Sequence, residues 1–337
     1  MKAENSVLIK NIYYMLAYAY KALRRDGFEK VAAESFDNIH DLFAAILIKG
    51  IEYQIKQGLT KEYVKSCRLQ KTLRGKIDIA GTVGQMTKRS KQLSCVYGVL
   101  TEDNLFNRIL KSAVILLLNH GEVKHENKIA LKKLLPLLSN VCDIKPLEIN
   151  WSLLSYRKGN ASYQMLIYLC RLLFEGMIIS HDGRVKLAKF LDGQHLCDLY
   201  ETFVRAYYER HYPQLDPRAA YVAWALDDKQ DMFLPGMYTD TMLESSDKVL
   251  IIDTKCYRRI LTQQYDKKSV CSANLYQIYA YVKNKTAVTD KGVSGMLLYA
   301  KTDEDITPNV VYSMGGNKIF VRTLNLNCEF EKIKEQL

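Results

Sequence analysis

Long apolar runs are what this 337-residue chain most plainly lacks. No stretch approaches the roughly 18 consecutive apolar residues of a membrane-spanning helix. The opening MKAENSVLIKN carries no apolar signal-peptide core. The expectation is an uncleaved, cytoplasmic chain with no membrane partner. Proline and glycine are scarce, at 6 and 17 residues, which excludes collagenous, linker-rich or low-complexity architecture. The 8 cysteines form no C-x-x-C and the 6 histidines no H-E-x-x-H, so neither a disulfide framework nor a zinc site is expected. Cys170, inside LIYLCRLLF, reads as a small buried hydrophobe. A G-x-x-x-x-G-K-[ST] phosphate loop is missing too, so the chain itself is not expected to hydrolyse nucleotide.

What is present is charge with an apolar core. At 48% hydrophobic and 25% charged, the chain can bury a sizeable interior, and a prior of roughly 150 residues per domain suggests two domains. The net charge of +11 makes a polyphosphate the default partner. The excess is concentrated: Lys61, Lys65, Arg68, Lys71, Arg74, Lys76, Lys88, Arg89 and Lys91 face only Glu62 and Asp78 in one segment.

Apolar residues at helical spacing predict helices over residues 8–24, over 37–58 with Asp37 as N-cap and Gly58 as stop, and over 104–120, 128–138, 163–179 and 196–211. Tyr13 and Tyr14 read as core residues of the first, and Asn104, Asn107 and Arg108 as capping and surface residues. Between 62 and 99 the pattern is of short strands with a tight turn at Arg74-Gly75-Lys76, punctuated by Gly81 and Gly84. Polar residues over 143–150 suggest a boundary. From Met232 the order is strand, turn, strand, helix, strand, with a further strand at KIFVRTL. The fold class expected is α/β, or α+β over the whole chain. Residues 1–150 would form a helical domain with a basic strand-rich insertion at about 61–99, and 151–337 a mixed sheet flanked by helices.

The chemistry concentrates in LPGMYTDTMLESSDKVLIIDTKCY. Val249–Ile252 is continuously apolar, as in a strand buried on both faces, and it runs directly into Asp253-Thr254-Lys255. Alternation places Asp253 and Lys255 on one face. A hairpin centred between Ser246 and Asp247 pairs Asp240 with Asp253, about 4.5–5.5 Å apart at the β-carbons. Two carboxylates that close repel unless a cation or proton lies between them. Magnesium suits such oxygen ligands; it can polarise a phosphoryl oxygen and activate water, with Lys255 stabilising the charge that builds up. A bare D-x-K is equally an ion pair at a strand end; the apolar strand before it, the upstream acid and the helix after it favour the catalytic reading. On that helix Leu275, Ile278, Tyr279 and Val282 form the apolar stripe, while Gln277 and Tyr281 share another face. Upstream, Glu201 is either a further metal carboxylate or a surface glutamate.

Asp240…Asp253-x-Lys255 followed by Gln277-x-x-x-Tyr281 resembles a PD-(D/E)xK nuclease core of the RecB-like type. Together with KNIYYMLAYAY (10–20), LRGKIDIAGT (73–82) and LTEDNLFNRILKSA (100–113), it makes nearly the whole chain similar to the McrC family, nuclease subunits of McrBC modification-dependent restriction systems. One departure is that Asp240 follows Thr239 rather than proline. The resemblance implies a magnesium-dependent (or manganese-dependent) endonuclease of phage defence that cuts double-stranded DNA bearing methylcytosine. It implies Asp240, Asp253 and, less directly, Glu201 as metal ligands, with Lys255, Gln277 and Tyr281 completing the catalytic set. It further implies an McrB-type AAA+ GTPase ring as the partner that binds GTP and is stimulated, and a self-dimer within the complex, since a double-strand cut needs two sites. By the same analogy the basic segment, through Lys65, Arg68, Lys71, Arg74, Lys76, Lys88, Arg89 and Lys91, reaches toward the ring's channel. The residues alone allow it to contact DNA phosphates instead. Two rival functions stay open at this point: an adaptor and GTPase activator whose nuclease has lapsed, and a free-standing repair-type nuclease.

Overall fold

The computed structural model describes residues 2–20, 36, 38–88, 90–157, 160, 162–178, 194–228, 232–256, 261–264, 267–301 and 307–337. Asp37, Arg89 and the expected end of the first helix at Arg24 lie outside them. The chain divides into two compact units, Met1–Leu42 with Glu175–Leu337, and Phe43–Phe174. The linear division into 1–150 and 151–337 is therefore not how the contacts group: the first helix packs with the C-terminal elements.

In the discontinuous unit, β4 (Arg218–Val222), β5 (Met237–Glu244), β6 (Lys248–Lys255), β9 (Gly292–Ala300), β10 (Val310–Met314) and β11 (Asn317–Leu324) form one six-stranded sheet, ordered β10-β11-β9-β6-β5-β4. The pairs β6–β9 and β9–β11 are parallel and the others antiparallel, so the sheet is mixed, as expected. The apolar strand 249–252 sits third from one edge and is covered on both faces. Ile251 belongs to a cluster with Ile278 and Val282 of α8 (Ser272–Ala287), and its neighbour Ile252, equally buried, points the other way. Helix α7 (Gln194–His211) lies against β5 and β6. A short hairpin, β7 (Leu261–Gln264) with β8 (Lys267–Val270), leads from β6 into α8. Gly295 lets α8 approach, because a Cβ there would come within 2.8 Å of Val282 and closer still to Ile278. On α8 it is Tyr281, not Tyr279, that completes the buried stripe.

Helix α1 (Lys2–Ala19) buries Ile9, Ile12, Tyr13 and Leu16, while Tyr14 stacks on Phe330 at 4.4 Å between ring centroids. Phe330 opens the last helix, α9 (Phe330–Gln336). Asn11, 1% exposed, donates through Nδ2 to the backbone oxygens of Leu326 (2.6 Å) and Cys328 (2.8 Å), tying the first helix to the last segment. A buried amide serving two backbone carbonyls, one of them buried, is costly to remove.

In the other unit, α2 (Ile39–Gln57) ends at Gly58, whose φ of +85° makes the left-handed stop that the sequence suggested. Asn38 Oδ1 accepts from Asp41 N at its start. Strands β1 (Glu62–Gln70), β2 (Lys76–Ile77) and β3 (Leu93–Thr101) form a sheet ordered β1-β3-β2. Gly75, at φ +74°, sits in the expected turn. Residues 79–87, read as strand from the sequence, are helical instead (α3, Ile79–Thr87). Gly81 belongs there because a Cβ would meet Ser94 and Asp78, and the glycine lets α3 lie close on β3. The base of this sheet is held by Asn104, Asn107 and Tyr163. Asn104 and Asn107 both donate to Thr60 O, and Tyr163 Oη donates to Asn107 Oδ1. Asn104 also caps α4 (Leu105–Asn119), and Arg108 forks onto Asp103 at 2.7 Å. Helix α6 (Tyr163–Ile178) lies where the periodicity put it, with Cys170 fully buried, whereas α5 (His125–Leu134) starts three residues earlier than expected and gives way to a 3-10 turn over Leu135–Leu138.

Replacing Asn11 by alanine is expected to cost about 1–3 kcal/mol. Equilibrium denaturation of the full chain checks this; an unchanged midpoint would mean that the two carbonyls find other donors.

Candidate active site

The site forms at one end of the six-stranded sheet, where β6 finishes and β5 begins. The β5–β6 ladder pairs Glu244 with Val249 through Thr241 with Ile252, the register expected from the hairpin sequence. Asp240 and Asp253 come next in that register, but the ladder stops one step short of them. The cause lies on the other side of β5. There Arg218 pairs with Met242 and Ala220 with Thr239, so two steps on β4 span three on β5. The extra residue is a β-bulge at Asp240 and Thr241, which bends the strand and re-aims its side chains.

Polar groups take over where the ladder fails. Thr239 Oγ1 bridges the backbone N and O of Ala220, each at 3.2 Å. The Asp240 carboxylate, through Oδ2, accepts from the backbone N (2.6 Å) and the Oγ1 (2.7 Å) of Thr254. The backbone oxygen of Asp240 accepts from Arg205 Nη1 of α7 at 2.8 Å, and the same nitrogen lies 3.2 Å from Glu201 Oε1.

Asp253 and Lys255 share the face toward α8. Asp253 is 1% exposed. Its Oδ2 lies 2.6 Å from Lys255 Nζ but off the hydrogen-bonding direction, so the contact is chiefly one of charge. Lys255 Nζ also donates to Gln277 Oε1 (3.1 Å), and Gln277 Nε2 donates to Tyr281 Oη (3.0 Å). Residues 277 and 281, one helical turn apart, thus brace the lysine from α8.

Burial pushes the Asp253 carboxyl up to about 6; Lys255 pulls it down, and Asp240 and Glu201 push it up further. Glu201 is raised by burial and then by Asp240, with Arg205 opposing. The three acids therefore feel one another, although their oxygens do not all fall within 4.8 Å. Every residue expected at the site from the D-x-K strand, the upstream acid and the following helix is brought together. Glu201 joins them, half-exposed and paired with Arg205. Sequence reasoning missed Thr254 and Arg205. The first reads as a spacer within D-x-K. The only sequence signal for the second is its position four residues after Glu201 on a helix.

The basic residues lie elsewhere. Lys65, Arg68, Lys71, Arg74, Lys76, Lys88 and Lys91 are all exposed on the small three-stranded sheet and its surroundings, with Arg74 over the Tyr97 ring at 4.3 Å.

A buried carboxylate with a raised pKa lowers stability while it is charged. In metal-free buffer, Asp253→Asn is therefore expected to stabilise the chain by about 1–3 kcal/mol above pH 6. The gain should shrink as both forms become neutral toward pH 4. Thermal melts of both proteins across that range test it, and a pH-independent difference would contradict the assignment.

Residues 2–300 match the family described as McrBC 5-methylcytosine restriction system component. The chain is 25% identical over 334 residues to the type IV methyl-directed restriction enzyme EcoKMcrBC of Escherichia coli strain K12, covering 98% of this chain and 95% of that one. Two solved structures from Thermococcus gammatolerans also align. One is a half-complex from a tetradecameric assembly of McrB AAA+ hexamers with bound McrC, at TM-score 0.45 and 16% identity, covering 88% of this chain and 66% of that one. The other is the McrBC complex, at TM-score 0.42 and 19% identity, covering 61% and 59%. The chain thus spans about two thirds or less of those solved chains.

Proposed function

The chain belongs to the McrBC 5-methylcytosine restriction system component family, and from that premise we propose that it is the DNA-cutting subunit of a GTP-dependent restriction complex. The observation that carries the proposal is the convergence of Asp240, Asp253, Lys255, Gln277 and Tyr281 at one sheet end, which supports the reading of a PD-(D/E)xK nuclease. The substrate is double-stranded DNA with modified cytosine.

The donor set fits a hard divalent cation. Asp253 Oδ2 is buried without an aligned hydrogen bond, and Asp240 and Glu201 add negative charge to its surroundings. Asp240 and Asp253 would hold magnesium, or manganese in its place, with Glu201 as an outer member. The ion, when bound, supplies electrostatic stabilisation of the phosphoryl group under attack.

The chain's own residues do the rest. Lys255, beside Asp253, orients a water by hydrogen bonding and places positive charge where negative charge develops on the phosphate. Gln277 fixes the lysine's direction, and Tyr281 fixes the glutamine. Lysine at this position cannot be replaced by a neutral isostere without losing both charge and donor.

The proposed partner is an McrB-type AAA+ ring that binds GTP. The segment 62–101 is the surface proposed to meet it. A three-stranded sheet with one short helix cannot cover both of its faces. Tyr63, Leu73, Ile79, Val83 and Met86 are accordingly 53–77% exposed. Ile79, Val83 and Met86 fall on one side of α3, an apolar stripe suited to a protein partner rather than to phosphates alone. The surrounding cations would steer its approach.

Cleavage of methylated plasmid tests the proposal, run with magnesium, with and without the ring partner and GTP. Cutting is expected only in the complete mixture, and Asp253→Ala and Lys255→Met should each lower it by at least about 100-fold while leaving GTPase stimulation intact. Cutting by the chain alone would make it a free-standing nuclease. Stimulation without cutting in any mixture would make it an adaptor.

A further inference from the structure

Asp240 sits where a β-sheet gives a side chain least support. It occupies a bulge, outside the ladder on its β6 side and beside a register shift on its β4 side. A residue so placed has backbone groups to satisfy and a carboxylate free to swing. Neither consequence is realised, because Thr254 delivers two donors to a single carboxylate oxygen and Arg205 caps the backbone oxygen.

We infer that Thr254 and Arg205 are positioning residues, which together fix the bulged Asp240 so that its carboxylate is held ready as a ligand beside Asp253. The inference rests on the reading of Asp240 as a metal ligand given above. The middle residue of the D-x-K triplet is then no spacer. Its side chain points away from Asp253 and Lys255 by strand alternation, and this lets it reach round the strand end to the carboxylate of β5. Its backbone N–H, with no ladder carbonyl opposite, turns to the same oxygen. Only serine or threonine offers both donors at the right reach. Arg205 adds the second constraint from α7. One nitrogen holds the bulge carbonyl and lies against Glu201, so the same side chain sets the bulge and neutralises the outermost acid.

Outer partners of this kind commonly alter metal affinity by about 10–100-fold when removed. The test is calorimetric titration of manganese into the full chain, comparing the wild type with Thr254→Val, Thr254→Ser, Arg205→Met and Asp240→Asn, each checked by thermal melting. Thr254→Val and Arg205→Met are expected to weaken binding about tenfold with little change in melting temperature, and Thr254→Ser to stay within about twofold of wild type, since it keeps the hydroxyl. Binding at wild-type strength in folded Thr254→Val and Arg205→Met, with Asp240→Asn impaired, would overturn the positioning role while leaving Asp240 a ligand. Wild-type binding that Asp240→Asn does not alter would remove the metal-site reading itself, and the inference with it. Should Thr254→Val fail to fold, Arg205→Met decides alone.

Discussion

A carboxylate buried at the end of an apolar strand is the constraint to which the active end of this protein is fitted. Asp253 follows four apolar residues into the interior, and its charge there is unfavourable by itself. The only nearby cation from the same strand is Lys255, which must be held in place to be of use. Gln277 holds it, Tyr281 holds Gln277, and Tyr281 is itself part of the core between α8 and the sheet. The path from hydrophobic packing to the reactive charge is thus four residues long and passes through no loop. Stability given up at Asp253 is the counterpart of a site that is electrostatically ready, a trade commonly found where function demands buried charge.

The parts of the structure legible in the sequence are those governed by local periodicity. Strand 249–252 declared itself by an unbroken apolar run, the hairpin register by its polar turn, and helix 272–287 by its spacing. The meeting of Lys255 with Gln277 follows from those elements. The bulge at Asp240 was not legible, because it depends on how β5 pairs with β4, and nothing in RAAYV or MYTDTMLE announces the extra residue. Thr254 and Arg205 depend on the bulge and were hidden with it. The helix at 79–87 was missed because its two glycines are poor helix formers. It is helical because Gly81 permits close packing on Ser94, a tertiary effect that overrides propensity.

The small sheet of 62–101 follows a different logic from the rest. On the larger sheet most apolar side chains are buried, whereas here Tyr63, Leu73 and Ile79 are apolar and exposed. Its base is fixed where Asn104, Asn107 and Tyr163 close on Thr60, and Thr82, Ser94 and Cys95 are buried between α3 and the sheet, while the outer surface stays exposed. The fully buried Asn107 and the exposed Ile79 are two sides of one design: polar groups inside to fix a platform, apolar groups outside to be covered by something else.

The bond from Asn11 to Leu326 spans 315 positions, and this separation has a temporal meaning. At about 5–20 residues per second, the ribosome would release the first helix roughly 15–60 s before the segment that receives it. Throughout that interval Asn11 lacks the two carbonyls it serves in the folded chain, although Tyr18 can meet Phe203 and Tyr207 once α7 has emerged. The discontinuous unit makes these contacts to its first helix only once the segment up to Cys328 has emerged. The first helix is thus made early and secured late, a closure of high sequence separation that slows this unit relative to the continuous one.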